Sequence, residues 1–206
     1  MKRDIILFIG KSSVGKDTIV SRCVEQFGWH KSVSYSSRPK RPSEVEGIDY
    51  FFRPYVEIMD MIDNGETYEH TEYKTNMGTW LYAFGVESFS DESVNLCIVN
   101  PEGMLELLQT ELHDRLAIIY VEADDKTRFE RYTSRLGGIE NMTIEQKAEG
   151  YDRLSRDYKD FTEFDQWLYE NKEIPVLKIS NLNNQGDGSY IMFKILEFVN
   201  EVNDEA

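Results

Sequence analysis

Apolar runs bounded by turn residues alternate along this chain with stretches of helical period. Residues 5–9, 96–99, 116–121 and 174–179 are short and mostly apolar, the pattern of strands buried on both faces. Thr18, Ile19, Cys23 and Val24 fall on one face of a helix after the first strand. Residues 32–36 read as a second strand, and 55–62 as a short helix stopped by Asn64-Gly65. Polar alternation over 67–73 and 81–84 predicts strands of a small separate sheet. Pro101 stands where a helix would begin, running to about Leu112. Residues 125–135 and 143–159 predict two charged amphipathic helices joined at Gly137-Gly138, and a polar loop over 181–188 precedes a closing helix over 190–202.

This alternation predicts an α/β fold, a parallel sheet flanked by helices. Two segments interrupt it, 34–90 and 125–160, and both are expected as insertions over the crevice at the strands' carboxyl ends. The expectation is a single domain whose core takes 1–33, 91–124 and 161–206.

Composition narrows the function. The chain of 206 residues has 38 acidic against 23 basic side chains, a formal charge of −15, which argues against a nucleic-acid or anionic membrane surface. No apolar run approaches the roughly 20 residues of a membrane span, and no cleavage site follows the basic first residues. Cys23 and Cys97 show neither a disulfide framework nor zinc spacing and sit in apolar segments, so buried thiols and a cytoplasmic protein are expected. The charge is uneven, however. Residues 1–55 hold 10 Lys/Arg and 6 Asp/Glu, while the remaining residues hold 13 and 32. A locally basic first quarter in an acidic chain is either chance or an anion site.

Residues 10–18 favour the anion site. Gly10, Ser12, Ser13, Val14, Gly15, Lys16, Asp17 and Thr18 fit G-x-x-x-x-G-K directly after a strand and opening a helix. The glycines let backbone N–H groups turn around phosphate oxygens, and the helix N-terminus adds partial positive charge. Lys16 would reach the β- and γ-phosphates of ATP. That context predicts a P-loop NTPase-type sheet; a purely structural Gly/Ser turn is the bland alternative. Asp17 stands where Ser or Thr usually follows the lysine. Thr18 is expected near Mg²⁺ or the α-phosphate, and Asp17 either holds the ion through water or favours the helix's positive end.

Residues 34–42 add a second basic loop. Arg38 and Arg41 lie three apart among hydroxyls and prolines, and arginine's planar fork suits bidentate phosphate contact. A solvated basic loop is the alternative. The segment from Ser34 to Tyr50, with Glu44, Gly47 and Asp49 in register, resembles the GMP-binding region of guanylate kinases. Gly65-Glu66-Thr67-Tyr68-Glu69 and Asn76-Met77-Gly78-Thr79 are similar to that family too.

The resemblance implies a nucleoside monophosphate kinase moving the γ-phosphoryl of ATP to GMP or dGMP with Mg²⁺, residues 34–90 forming the NMP-binding region and 125–160 a helical lid. It implies that Arg38, Arg41 and Tyr50 hold the monophosphate, and that Ser34, Glu69 and Thr79 read the base. Lys16, Arg38, Arg135 and Arg153 would serve the transferring phosphoryl, with Arg128, Arg131 and Arg156 nearby. The bland alternatives are a solvent-facing carboxylate for Glu69 and exposed i,i+4 pairs for the arginines.

The sequence departs from the family at three places. Ile98 and Asn100 replace two acids, and a tyrosine expected at the GMP phosphate is missing beside Gly78. Trp80 or Tyr82 could substitute for it, or could be packing aromatics. These departures leave two other readings: a kinase of another or modified deoxynucleoside monophosphate, and a non-catalytic binding module. The intact Gly10, Gly15 and Lys16 favour an enzyme. Its partners would be small-molecule nucleotides, with no nucleic acid or membrane, in a monomer or homodimer.

Overall fold

The computed structural model describes residues 2–42, 44–75, 78–182 and 188–204. The chain begins β1 (Ile5–Ile9), α1 (Lys16–Phe27), β2 (His30–Lys31), β3 (Tyr35–Ser36), β4 (Phe51–Phe52) and α2 (Tyr55–Asp63). It continues β5 (Thr67–Thr75), β6 (Gly78–Gly85), β7 (Asn95–Ile98), α3 (Pro101–Leu107), β8 (Leu116–Glu122) and α4 (Asp125–Arg135). It closes with α5 (Ile144–Glu170), β9 (Val176–Ser180) and α6 (Ser189–Asp204).

The main sheet has the order β2-β7-β1-β8-β9, and every neighbouring pair is parallel. Alternate residues of its strands feed two cores. Ile6, Phe8 and Ile119 pack under α1 and α6 with Val20, Ile195 and Val199. Ile5, Leu7 and Ile118 pack on the opposite face with Met104 of α3 and Phe161 and Phe164 of α5. This is the α/β arrangement predicted from the alternation: the central strands are covered on both sides, so their sequence carries no polar face. Cys23 and Cys97 are buried as expected, and burial pushes both thiols up to about 12.

The second sheet has the order β4-β3-β6-β5, with β5 and β6 a long antiparallel pair. It closes over a small core of Ile58, Leu81 and Ala83. The boundaries depart furthest from the sequence reading at three places. The strand expected over 32–36 is two strands: His30–Lys31 joins the main sheet, while Tyr35–Ser36 pairs with β6 and β4 in the small one. A single run of residues cannot hold both registers, and the change of sheet occurs at Ser32–Ser34. The helix from Pro101 ends at Leu107 rather than near Leu112, where 107–112 turn through i→i+3 bonds instead. The helix expected over 143–159 runs on to Glu170, because no Gly or Pro stops it and Phe161 and Phe164 continue an inward stripe into the main core. Its start is fixed by a capping box of Thr143 and Gln146. Asn76 and Met77, and 183–187 of the polar loop, lie outside the described residues.

Candidate active site

The glycine-rich loop joins β1 to α1 at the carboxyl edge of the sheet, where the strand order reverses about β1. Gly10 passes so close to β8 that a Cβ there would lie 2.2 Å from the Val121 carbonyl oxygen, so any side chain would push the loop off the sheet. Ser13 has φ 65°, and Gly15 caps α1 from φ 97°. Lys16 folds back on this loop, its Nζ donating to Gly10 O at 2.6 Å and Lys11 O at 3.3 Å. Burial pulls the Lys16 amine down to about 8, against the opposing charges of Asp17 and Asp157. Asp17 and Thr18, in the first turn of α1, are exposed. Asp17 lines a small cleft together with Ser34, Tyr50 and Ile98.

Across that cleft, Arg38 is buried and forks onto Glu44, with Nη1 to Oε2 at 2.7 Å. Burial opposes the Arg38 charge, but the Glu44 contact outweighs it and raises the guanidinium further. Glu44 also accepts from Arg41 N at 2.8 Å, which holds the loop between the two arginines. The Arg38 guanidinium lies 4.9 Å over the Tyr50 ring, and Tyr50 meets Tyr82 edge-on at 5.8 Å. Burial pushes the Tyr50 hydroxyl up to about 12. Arg41 is half-exposed and reaches Glu149 of α5 at 3.9 Å, bridging the two insertions.

Glu69 points inward from β5 and is 5% exposed. Burial, and then the charge of Glu106, push its carboxyl up to about 8. The register pairs Glu69 with Phe84, Thr71 with Tyr82 and Tyr73 with Trp80, so these six share one face of the hairpin. Thr79 pairs with Lys74 on the other face and is exposed, so the hairpin does not bring it to Glu69. Asn100 caps α3 through Gly103 N at 2.8 Å and donates to Tyr73 Oη at 2.7 Å. Ile98 lines the cleft with an apolar side chain.

The helices α4 and α5 close the other side. Arg131 donates to Val14 O and Asn181 O, each at 2.9 Å, and Asn181 Nδ2 reaches the same Val14 O at 2.7 Å. Arg135 donates to the Ser13 hydroxyl. Burial and then the charge of Arg153 lower the Arg135 guanidinium, so the two arginines converge. Arg153 pairs with Glu149 at 2.7 Å and lines a pocket with Ser12, Ser13 and Arg128. Arg156 lies 5.4 Å from the Tyr73 ring.

The structure thus sets Asp17, Ser34 and Tyr50 on one cleft, Ser12, Ser13 and Arg153 on another, and Thr79 apart on the exposed face of the hairpin. The sequence reading missed Tyr73, Asn181 and Asp157. Tyr73 alternates in step with Glu69, a signal that was available. The loop partners of the other two lie far off in sequence, Ser12 145 residues from Asp157 and Val14 167 from Asn181, and no local pattern marks them.

A parallel sheet with this glycine-rich loop between its first strand and first helix is a P-loop NTPase-type fold. Comparison with known proteins makes the class specific. The family model described as Guanylate kinase matches residues 1–174. A guanylate kinase of Streptococcus thermophilus is 30% identical over 177 residues, 84% of this chain and 80% of that protein. One of Lactococcus lactis is 29% identical over 171 residues, 82% of this chain and 80% of that protein. One of Mycoplasmoides gallisepticum is 38% identical over 109 residues, 51% of this chain, and there the match spans about half the relative's length, 55%. The crystal structure of guanylate kinase from Anaplasma phagocytophilum superposes with a TM-score of 0.65 at 17% identity, covering 98% of this chain and 88% of that one, and shares the fold. The chain belongs to the guanylate kinase family and is a kinase, a phosphotransferase.

Proposed function

We propose that the protein transfers the γ-phosphoryl of ATP to GMP or dGMP, releasing ADP and the nucleoside diphosphate. The observation that carries this reading is the gathering of cations around the loop: Lys16 feels the charge of Arg135, and Arg135 that of Arg153 and Arg41, beside a cleft that Asp17, Ser34 and Tyr50 line. In the reaction an oxygen of the acceptor's phosphate forms a bond to the γ-phosphorus as the bond to the β–γ bridging oxygen breaks. No covalent enzyme intermediate is needed, so positioning and positive charge do the work. Lys16 leaves its loop carbonyls for the nucleotide's phosphates. Arg38, Arg41 and Tyr50 bind the acceptor's phosphate, Arg135 and Arg153 cover the transferring group, and Glu69 with Ser34 reads the base. Residues 34–90 act as the acceptor-binding region and 125–160 as the lid over a core of 1–33, 91–124 and 161–206.

The residues present fit Mg²⁺ carried with ATP. Such an ion is held mainly by phosphates and water, with one or two oxygen donors from the protein. Thr18 and Asp17 are exposed at the loop's end to complete its shell. The ion would neutralise charge building on the phosphates.

A kinase for another monophosphate is favoured by one observation: apolar Ile98 lines the cleft, and Asn100 spends its amide on α3 and Tyr73, leaving Glu69 as the buried base-reading carboxylate. A non-catalytic module is disfavoured by the intact loop lysine. A coupled assay of ADP release over all ribo- and deoxyribonucleoside monophosphates with Mg-ATP decides. Preference for GMP or dGMP supports the proposal, preference for another monophosphate supports the second reading, and failure on every one leaves a binding module. Among the described residues no helix is long and apolar enough to cross a membrane.

A further inference from the structure

The helix α5 is buried in only one half. Of its described residues only Asp157, Phe161 and Phe164 are buried, and the two phenylalanines pack on Tyr120 of β8. The half that carries Arg153 stands clear of the core and is tied down at Asp157. Ser12 N donates to both carboxylate oxygens of Asp157, at 3.1 and 3.0 Å, and the Ser12 hydroxyl lies 3.2 Å from Oδ1. Arg128 of α4 completes a ring. Its Nε donates to Ser12 O at 2.9 Å, Nη1 to Asp125 Oδ1 at 2.7 Å, and Nη2 to Asp157. Arg128 is 1% exposed. Both backbone polar groups of Ser12 therefore end on buried charged side chains from the two helices that flank the loop.

The next residue explains what such a clamp is for. Ser13, at φ 65°, is the one non-glycine residue with positive φ among the described residues. A side chain disfavours this left-handed conformation, which persists where its surroundings over-determine it. On its far side the Val14 carbonyl is likewise held, by Arg131 and Asn181. Val14 N, the amide that follows this turn, points back across the loop to Lys11 O at 3.5 Å.

We propose that Asp157 and Arg128 are positioning residues for the donor nucleotide: they clamp Ser12 and so hold Ser13 in the conformation that turns the loop amides toward phosphate. This rests on the nucleotide reading of the loop given above. Neither side chain touches the nucleotide; they act through the backbone of Ser12.

The test is calorimetric titration of Mg-ADP into wild type, Asp157→Asn, Arg128→Lys, Ser13→Gly and the Asp157→Asn/Ser13→Gly double variant, with melting temperatures in parallel. Losing the charge-assisted contacts of the clamp is expected to weaken Mg-ADP by about 10- to 100-fold in Asp157→Asn, and less in Arg128→Lys, which keeps the charge without the fork. Glycine adopts positive φ without strain, so the same Asp157→Asn change should cost several-fold less in the Ser13→Gly background. Unchanged Mg-ADP affinity in Asp157→Asn overturns the proposal. So does an equal loss in both backgrounds, because the clamp would then not act through Ser13. Should Asp157→Asn fail to fold, Arg128→Lys alone and in the Ser13→Gly background gives the same comparison. A wild type that binds no Mg-ADP would instead bring down the nucleotide reading itself, which is a separate and recognisable failure.

Discussion

Gly103 at the start of α3 lies directly against the Glu69 carboxylate of β5: a Cβ at position 103 would sit 2.6 Å from Glu69 Oε2. The helix start thus leaves a side-chain-sized gap that the carboxyl fills. Replacing Gly103 by Ala must displace Glu69, because the alternative is moving the α3 backbone that Asn100 caps. The expected outcome is a KM for GMP raised about tenfold, the worth of one hydrogen bond to a charged group, with the KM for ATP unchanged. Steady-state kinetics with each substrate varied in turn checks this. An ATP effect of equal size would mean that the site as a whole had shifted.

Glu69 also sets a pH dependence. Its carboxyl, ordinarily near 4.5, is pushed up to about 8, so the unliganded protein holds this proton at neutral pH. Guanine presents N–H donors to it, and only the ionised form accepts both. Affinity for GMP should therefore improve as pH rises towards about 8, and Glu69→Gln should flatten that limb and hurt guanine substrates more than others. Stability moves the opposite way. Between about 4.5 and 8 the native state holds a proton that the unfolded chain has lost, so stability from this group falls as pH rises through that window. Chemical denaturation at a series of pH values should show the slope in the wild type and its loss in Glu69→Gln.

Lys16 limits the alkaline side. Its amine is pulled down to about 8 by burial, so kcat/KM for ATP is expected to fall as pH rises beyond that value in the free enzyme. Lys16→Ala should abolish transfer while leaving the fold intact, since among the described residues the amine bonds only to loop carbonyls. Near-normal turnover in that variant would sink the mechanism.

The two acceptor-loop arginines are expected to differ. Each charge-assisted phosphate contact is worth roughly 1.5–3 kcal/mol, so either alanine variant should raise KM for the monophosphate about 10- to 150-fold. Arg38→Ala carries an additional penalty, because it leaves the largely buried Glu44 carboxylate without its guanidinium and held by the Arg41 N–H. Its melting temperature should drop, whereas Arg41→Ala, removing a half-exposed side chain with one long ion pair, should melt like the wild type.

How much of this was legible beforehand follows from the range of the interactions. The loop from Gly10 to Thr18 is a local device: strand, glycine turns and helix start are contiguous, and the core around it was legible in the alternation of apolar runs and helical periods. Arg38, Glu44 and Tyr50 were legible for the same reason, lying within one short stretch that folds on itself. The change of sheet at Ser32–Ser34 was not legible, because a run of small and apolar residues satisfies either register. Thr79 was placed by motif, yet a strand's alternation assigns its face, and one position decides between the Glu69 side and solvent. Asp157 follows Arg153 and Arg156 in a charged helix, and only the docking of that helix on Ser12 separates it from a surface carboxylate.

The polar strip beside Glu69 gives the last expectation. The point 2.6 Å from Glu69 Oε2, where a Cβ of Gly103 would lie, is also 3.1 Å from Asn100 Oδ1, so the two side chains are immediate neighbours. Asn100→Asp puts a second carboxylate there at constant size. Aspartate caps helices as well as asparagine does, so Gly103 N keeps its acceptor, and the Tyr73 hydroxyl can turn from accepting to donating. The fold should therefore hold. The new charge disfavours ionisation of Glu69 and raises its carboxyl above the present value of about 8. The rising limb of GMP affinity is expected to move to higher pH, while the same limb in an Asn100→Asp/Glu69→Gln variant should be absent. KM for GMP measured across pH in both variants decides. A limb that stays where it is would place the titrating group away from Asn100, and with it the base.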